Sequence, residues 1–119
     1  MMTIDSELVA AFDIDDSILF EDANRGIPVQ YTNPFTGKIE HRSYSEVHVE
    51  WLKELHARGY TIILWSAGSA KHCEAVARTL KIDKYVHFCV TKPLVHVDDK
   101  RDSLSIIGKR IFLEKEDNG

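Results

Sequence analysis

Acidic side chains follow the first apolar segment of this chain. Val9–Phe12 is a short apolar run, Asp13 comes directly after it, and Asp15 follows two positions later. Carboxylates clustered without a cation repel each other, and a hard divalent cation such as Mg²⁺ relieves the repulsion through oxygen ligands. An Asp carboxylate held against a metal-bound phosphate can act as a nucleophile, and a second one can transfer protons. The first motif therefore favours phosphate chemistry.

Residues suited to the same chemistry follow later apolar segments. Ser66 ends one such segment, Lys92 lies in a short connection, and Asp98 and Asp99 follow the next segment. A lysine offsets the charge of a nucleophile and a phosphate, while a hydroxyl and nearby backbone N–H groups hold phosphoryl oxygens. The helix start predicted at Gly68–Ser69 adds a dipole that favours phosphate. These residue types indicate one site shared by several strand ends.

The elements that must position these residues alternate between strands and helices. Apolar and β-branched runs predict strands at 9–12, 61–65, 86–90, 94–97 and 109–113. Strands that alternate with helices predict an α/β fold with a mostly parallel sheet. In such sheets the ligand site lies beyond the carboxyl ends of the strands. The polar residues described above occupy those ends.

Two helices are predicted between the strands. Ser43, with Glu46 three residues later, fits a capping box, and the helix it opens is expected to end at Gly59. The second helix is expected to start near Ser69. The apolar face of the first helix is predicted to contain Val47, Trp51, Leu52 and Leu55.

A turn-rich stretch separates the first strand from the first helix. Val29-Gln30-Tyr31 and Lys38-Ile39-Glu40 flank the turn-forming residues Asn33–Gly37. This arrangement predicts a small β-hairpin at about 27–42. We expect the hairpin to act as a flap over the site.

Length and composition are those of one domain. The chain has 119 residues and a mass of 13.6 kDa, with 15 Lys+Arg, 19 Asp+Glu and a net charge of −4. The acidic balance argues against a general nucleic-acid binder. Cys73 and Cys89 are too few for a disulfide scaffold, and neither a signal peptide nor a membrane-spanning segment is expected. We therefore expect a single cytoplasmic domain.

Four motifs, in order, resemble those of the haloacid dehalogenase (HAD) superfamily of aspartate-nucleophile phosphohydrolases. They are VAAFDIDDS at 9–17, TIILWSAGS at 61–69, Lys92 within TKPL, and LVHVDDKRD at 94–102. The resemblance covers nearly the whole chain. It implies one HAD-like domain over 1–119, with a Rossmann-like three-layer sandwich, a mostly parallel five-stranded sheet and the hairpin as a flap.

The resemblance also implies an activity and a role for each motif residue. The activity is Mg²⁺-dependent phosphomonoester hydrolysis through an aspartyl-phosphate. Asp13 would be the nucleophile, Asp15 the acid and base, and Lys92 the residue that balances charge and binds phosphate. The other implied residues are Ser66 and Ala67 for substrate binding, and Asp13, the Asp15 carbonyl and either Asp98 or Asp99 for Mg²⁺.

The chain departs from the family pattern at one position, and this keeps an alternative open. The family commonly has Gly-Thr where this chain has Asp16-Ser17. Asp lacks the freedom of Gly, although it tolerates the left-handed region better than most residues. The alternative is a catalytically idle module that binds phosphate and metal on the same scaffold. A response-regulator receiver uses similar residues in a different order, and His87, Cys89 and His96 are interpreted as core residues rather than zinc ligands.

The substrate is a phosphorylated compound whose size the sequence does not decide. The gaps between the motifs leave no room for a cap domain, so we expect the site to be open to solvent. An open site suits a phosphate carried by a protein or by a polynucleotide end. Alternatively, a partner subunit covers the site as a lid. Small phosphates such as nucleotides fit as well, and the oligomeric state stays open.

Overall fold

The computed structural model describes residues 8–93, and these form two sheets and two α-helices. The strands are β1 (Val9–Asp13), β2 (Leu19–Phe20), β3 (Ile27–Thr32), β4 (Ile39–Tyr44), β5 (Thr61–Ser66) and β6 (Phe88–Thr91). The helices are α1 (Glu46–Ala57) and α2 (Ala70–Thr79), and a 3₁₀ helix spans Asp83–Tyr85. The strand predicted at 86–90 is observed as β6, which starts two residues later, at Phe88.

A parallel sheet carries the first two sequence motifs. Its order is β1-β5-β6, with Phe12 opposite Leu64 and Leu64 opposite Cys89. Residues alternate between faces along a strand, and in β5 Ile62, Leu64 and Ser66 are buried. Because all three strands run in the same direction, their carboxyl ends meet at one edge.

An antiparallel sheet follows the first motif. Its order is β2-β4-β3, and β3 and β4 form the predicted hairpin. The turn is closed by Asn33, whose backbone N–H donates to the Lys38 carbonyl and whose side-chain oxygen accepts from the Phe35 N–H. Gly37 supplies the positive φ of 75° that this turn needs.

The predicted Rossmann-like sandwich with a mostly parallel five-stranded sheet is wrong. The described residues form three parallel and three antiparallel strands. The buried pair Leu19–Phe20, which the sequence did not predict as a strand, joins β4, so the expected flap is part of a second, three-stranded sheet. Two residues are too few to show the alternation by which a strand is predicted. The strands predicted at 94–97 and 109–113 lie outside the described residues.

For the first helix, the predicted N-cap is wrong and the predicted apolar face is right only at Leu52 and Leu55. The N-cap is Ser45 rather than Ser43, which belongs to β4. Val49 and Leu52 are buried, while Val47 and Trp51 of the predicted apolar face are 48% and 38% exposed. Apolar residues occupy two neighbouring stripes of this helix, and packing against the rest of the molecule selects one of them.

One apolar core joins the two sheets. The loop after β1 contributes Ile14 and Ile18, β5 contributes Ile62 and Leu64, and α2 contributes Val76, all fully buried. Burying each such side chain is worth about 1.5–3 kcal/mol. The core therefore fixes the loop after β1 and the start of α2 against the same strand. Within residues 8–93, no helix is long and apolar enough to cross a membrane.

Candidate active site

Asp13 and Lys92 meet at the carboxyl edge of the parallel sheet. Asp13 ends β1, and Lys92 directly follows β6. The Lys92 Nζ lies 3.0 Å from the Asp13 Oδ1, with both side chains partly exposed. The Lys92 backbone N–H donates to the Ser66 carbonyl at the end of the strand between them. The structure thus brings together one predicted nucleophile and one predicted cation from distant parts of the chain.

Asp15 is held by residues from two other elements. Its Oδ2 accepts a hydrogen bond from the Ser66 hydroxyl at 3.2 Å, and its Oδ1 lies 3.0 Å from the His72 Nε2. The hydrogen bond from His72 is the main cause that lowers the pKa of Asp15, and the Ser66 bond adds to it. Partial burial opposes this by raising the pKa. The carboxylate form of Asp15 is therefore favoured.

The turn after β1 presents Asp15 and turns Asp16 away. The Ile14 carbonyl accepts hydrogen bonds from the N–H groups of Ser17, Ile18 and Leu19, which makes a tight turn. Asp16 adopts a φ of 65°, so the position at which the HAD superfamily commonly has Gly lies in the left-handed region in this chain. Its side chain is 78% exposed and lies 3.7 Å from the Arg25 guanidinium.

Ser66 is fully buried at the end of β5. Its hydroxyl accepts from the Gly68 N–H at 2.9 Å while it donates to Asp15. A Cβ at position 68 would lie 3.2 Å from the Ser66 Oγ, which is closer than ordinary contact. Ala67, the other predicted substrate-binding residue, is exposed next to it. In this structure Ser66 contacts Asp15, and the Ala67 backbone lies at the surface.

The start of α2 is strained. Ser69, the N-cap, has a φ of 127°, a region that residues with a Cβ rarely adopt, and its side chain accepts from the His72 N–H. Such strain costs of order 1–3 kcal/mol and persists only where surrounding contacts hold it. One of those contacts is the Ala70 N–H, which donates to the Thr91 side chain at the end of β6. The second predicted helix does begin where the sequence indicated.

Two residues of the site were missed from the sequence, His72 and Tyr31. The Tyr31 hydroxyl lies 2.6 Å from the His72 Nδ1, and the two rings meet edge to face. Burial is the main cause that raises the pKa of Tyr31 to about 12, so the phenol keeps its proton. The available signal was weak: His72 is three residues after the helix cap, in the turn that faces the strand ends. Nothing in the hairpin sequence marked Tyr31.

The hairpin also places a cation near the site. The Arg42 guanidinium lies 2.6 Å from the Glu40 carboxylate, which also accepts from the Asn33 side chain. Arg42 is the smallest of the contributions that lower the pKa of Asp15. The hairpin residue with a contact that leads to Asp15 is Tyr31, which bonds His72.

Two of the predicted Mg²⁺ ligands lie among the described residues. The Asp13 carboxylate and the Asp15 backbone carbonyl are oxygen donors of the type that Mg²⁺ prefers. Asp98 and Asp99, the other predicted ligands, lie outside the described residues, and within 8–93 no three His, Cys, Asp or Glu residues form a metal-binding group. His87 instead accepts the Ile62 N–H and stacks on His56.

Comparisons with known proteins found no match for the chain. No family model matches, no curated protein matches, and no solved structure matches. The likeness of the four motifs to the HAD superfamily therefore stays a prediction from the residues.

Proposed function

We propose that this protein is a phosphomonoester hydrolase that acts through an aspartyl-phosphate on Asp13. The observation that carries the proposal is the 3.0 Å contact between Lys92 and Asp13, with Asp15 two residues further along the chain and held by Ser66. A nucleophile, a fixed cation and a second carboxylate at one sheet edge are the groups that phosphoryl transfer to an aspartate needs.

The proposed reaction has two steps. In the first, the Asp13 carboxylate attacks phosphorus and the bond to the leaving oxygen breaks. That oxygen takes a proton from Asp15, whose protonated form is favoured by the negative charge of a bound phosphate. In the second, Asp15 takes a proton from water, whose oxygen attacks the aspartyl-phosphate and releases inorganic phosphate. Lys92 offsets the charge of the nucleophile and of the phosphoryl oxygens in both steps.

Mg²⁺ is part of the proposal. The Asp13 carboxylate and the Asp15 carbonyl would hold it, together with Asp98 or Asp99. When bound, Mg²⁺ neutralises phosphate charge and orients the phosphoryl group. Both the nucleophile and the Lys92 ammonium lie partly exposed, which suits a phosphorylated substrate that enters from solvent.

The experiment compares Asp13→Asn with Asp16→Asn, the same change at an exposed residue of the turn that follows β1. Release of inorganic phosphate from nitrophenyl phosphate is measured with Mg²⁺, with EDTA and with Zn²⁺. We expect the wild type and Asp16→Asn to turn over with Mg²⁺, EDTA to abolish turnover, and Zn²⁺ to restore little of it. Asp13→Asn should lose activity by at least about 1,000-fold, because the nucleophile is removed.

A second arm tests the mechanism. Asp15→Asn should still transfer a phosphoryl group to Asp13 from nitrophenyl phosphate, whose leaving group needs little protonation, but should hydrolyse the intermediate slowly. Mass spectrometry should then find phosphate on Asp13. Phosphate on another residue contradicts the mechanism. A wild type that binds phosphate or Mg²⁺ but shows no turnover on phosphosugars, nucleotides, phosphopeptides and phosphorylated oligonucleotides supports the idle binding module instead.

A further inference from the structure

We propose that His72 and Tyr31 are positioning residues that hold the Asp15 carboxylate in the orientation for proton transfer. The inference rests on the proposed function and extends it to the antiparallel sheet. Tyr31 lies on β3, His72 on α2, and Asp15 in the loop after β1. A chain of two hydrogen bonds joins these three elements.

The direction of both hydrogen bonds follows from the chemistry of their ends. A carboxylate oxygen only accepts, so the His72 Nε2 carries the hydrogen that Asp15 Oδ1 receives at 3.0 Å. In the neutral ring the Nδ1 is then the acceptor, and the Tyr31 hydroxyl donates to it at 2.6 Å. Tyr31 thereby selects the tautomer of His72 that can bond Asp15.

The hydrogen-bonded series is buried at its Tyr31 end and exposed to solvent at its Asp15 end. Tyr31 is 2% exposed, the His72 side chain 13%, and the Asp15 side chain 55%. Asp15 is free to meet a substrate, but the carboxylate would rotate without fixed partners. Because Ser66 holds Oδ2 and His72 holds Oδ1, two anchors from two elements fix the plane of the carboxylate.

His72 acts through Asp15 rather than on the substrate. Both of its ring nitrogens already have partners, and its backbone N–H is bound by the Ser69 cap. The first turn of α2 thus fixes the position of the His72 ring, and the ring fixes the orientation of the Asp15 carboxylate. A positioning role of this kind predicts losses that depend on how much protonation the leaving group requires.

The experiment replaces His72 with two amide side chains of different length, each of which places an amide nitrogen near only one of the two ring nitrogens. In His72→Gln the amide nitrogen reaches approximately the place of Nε2 and keeps the bond to Asp15, whereas in His72→Asn it reaches only the place of Nδ1. Tyr31→Phe removes the hydroxyl alone. The matched controls are His48→Gln, at the equivalent position of α1, and Tyr85→Phe. Each full-length variant is checked for wild-type circular dichroism.

The readout is kcat/KM for nitrophenyl phosphate and for an alkyl phosphate with Mg²⁺. His72→Asn should lower the alkyl phosphate value by about 10- to 100-fold and the nitrophenyl phosphate value by less than about 3-fold, since general acid catalysis typically contributes 100- to 10,000-fold. His72→Gln should keep most of the wild-type kcat/KM for the alkyl phosphate. The value for Tyr31→Phe should lie between those of His72→Asn and His72→Gln. Both controls should match the wild type.

A double-mutant cycle separates positioning from a general loss of structure. In the Asp15→Asn background, His72→Asn should change kcat/KM by less than about 2-fold, because the group it positions is gone. Equal losses on both substrates, no rescue by Gln, or an additive effect in that background would overturn the inference while leaving the proposed function standing. A wild type without turnover on either substrate would instead overturn the proposed function.

Discussion

The segments that lead into α1 and α2 contain the same hydrogen-bonded parts. Each has a buried serine whose hydroxyl accepts a glycine N–H, Ser43 from Gly26 and Ser66 from Gly68. Each also has a serine N-cap that accepts the N–H of a histidine three residues later. These pairs are Ser45 with His48 and Ser69 with His72.

The partners of these parts differ. The hydroxyl of Ser43 donates to a backbone carbonyl, and the His48 ring lies 2.7 Å from its own cap hydroxyl. In the second segment the Ser66 hydroxyl and the His72 ring both reach Asp15. The caps differ too, since Ser45 has an ordinary φ of −84° and Ser69 a strained one of 127°.

The comparison shows that a serine cap followed by a histidine does not by itself identify the candidate active site. The second segment differs in its neighbouring strand. Because β5 pairs in parallel with β1, the loop after β1 places the Asp15 carboxylate next to the start of α2. The start of α1 instead follows β4 of the antiparallel sheet. The strained φ of Ser69 lies next to these contacts, as expected of backbone that tertiary contacts hold in place.

The largest expected effect compares the lysines of the two regions. Lys92→Ala should reduce kcat/KM by about 100- to 1,000-fold, because a fixed charge that stabilises phosphoryl oxygens is lost. Lys53→Ala removes a lysine of α1 that lies 3.8 Å from Glu50, and it should leave kcat/KM at the wild-type value. Steady-state kinetics with Mg²⁺ measures both, and equal losses would place the chemistry outside the α2 region.

The next effect compares the two buried serines. Ser66→Ala and Ser43→Ala should each lower the free energy of unfolding by about 1–3 kcal/mol, because each leaves a glycine N–H unpaired. Ser66→Ala alone should also reduce kcat/KM, by about 10-fold, since one hydrogen bond to Asp15 is lost. Denaturant unfolding and kinetics on the same preparations measure the two effects. A loss for Ser66→Ala that equals that of Lys92→Ala would contradict this ranking.

A smaller effect compares the two caps. Ser45→Gly should lower the free energy of unfolding by about 1 kcal/mol, because a buried cap loses its bonds to the backbone and ring of His48. Ser69→Gly loses a cap bond as well, but glycine adopts a φ of 127° without the cost of a Cβ. The net change should be within about 0.5 kcal/mol of zero or stabilising. Equal destabilisation of the two variants in chemical denaturation would show that Ser69 is not strained.

The smallest effect is a pH dependence confined to the α2 region. The folded-state pKa of Asp15 lies below its ordinary value of 3.8, so ionised Asp15 contributes stability above that value and this stability is lost as the pH falls through the folded pKa. The difference in free energy of unfolding between wild type and Asp15→Asn should therefore shrink between about pH 6 and about pH 2.5. Denaturant melts without divalent cations measure it. A difference that is constant or grows on acidification would contradict the lowered pKa.

Several elements were predictable because their signals are local. The hairpin turn depends on Asn33 and Gly37, the first strand on the apolar run before Asp13, and the start of α2 on Ser69. Each of these structures is decided by residues within a few positions of one another. The cap of α1 was misplaced for the same reason, since Ser43 and Ser45 both suit a cap and only the pairing of β4 decides between them.

The amino-acid sequence by itself determined which residue types stand at the strand ends, because an apolar run that stops at a carboxylate or a serine must place that group at the edge of the core. Only the tertiary structure decided that Leu19–Phe20 would pair with β4 and carry Tyr31 to His72. It also decided that His72, rather than His48, would meet a carboxylate. Both outcomes depend on pairings between distant segments, and side-chain spacing along the chain carries no record of which strands will lie side by side.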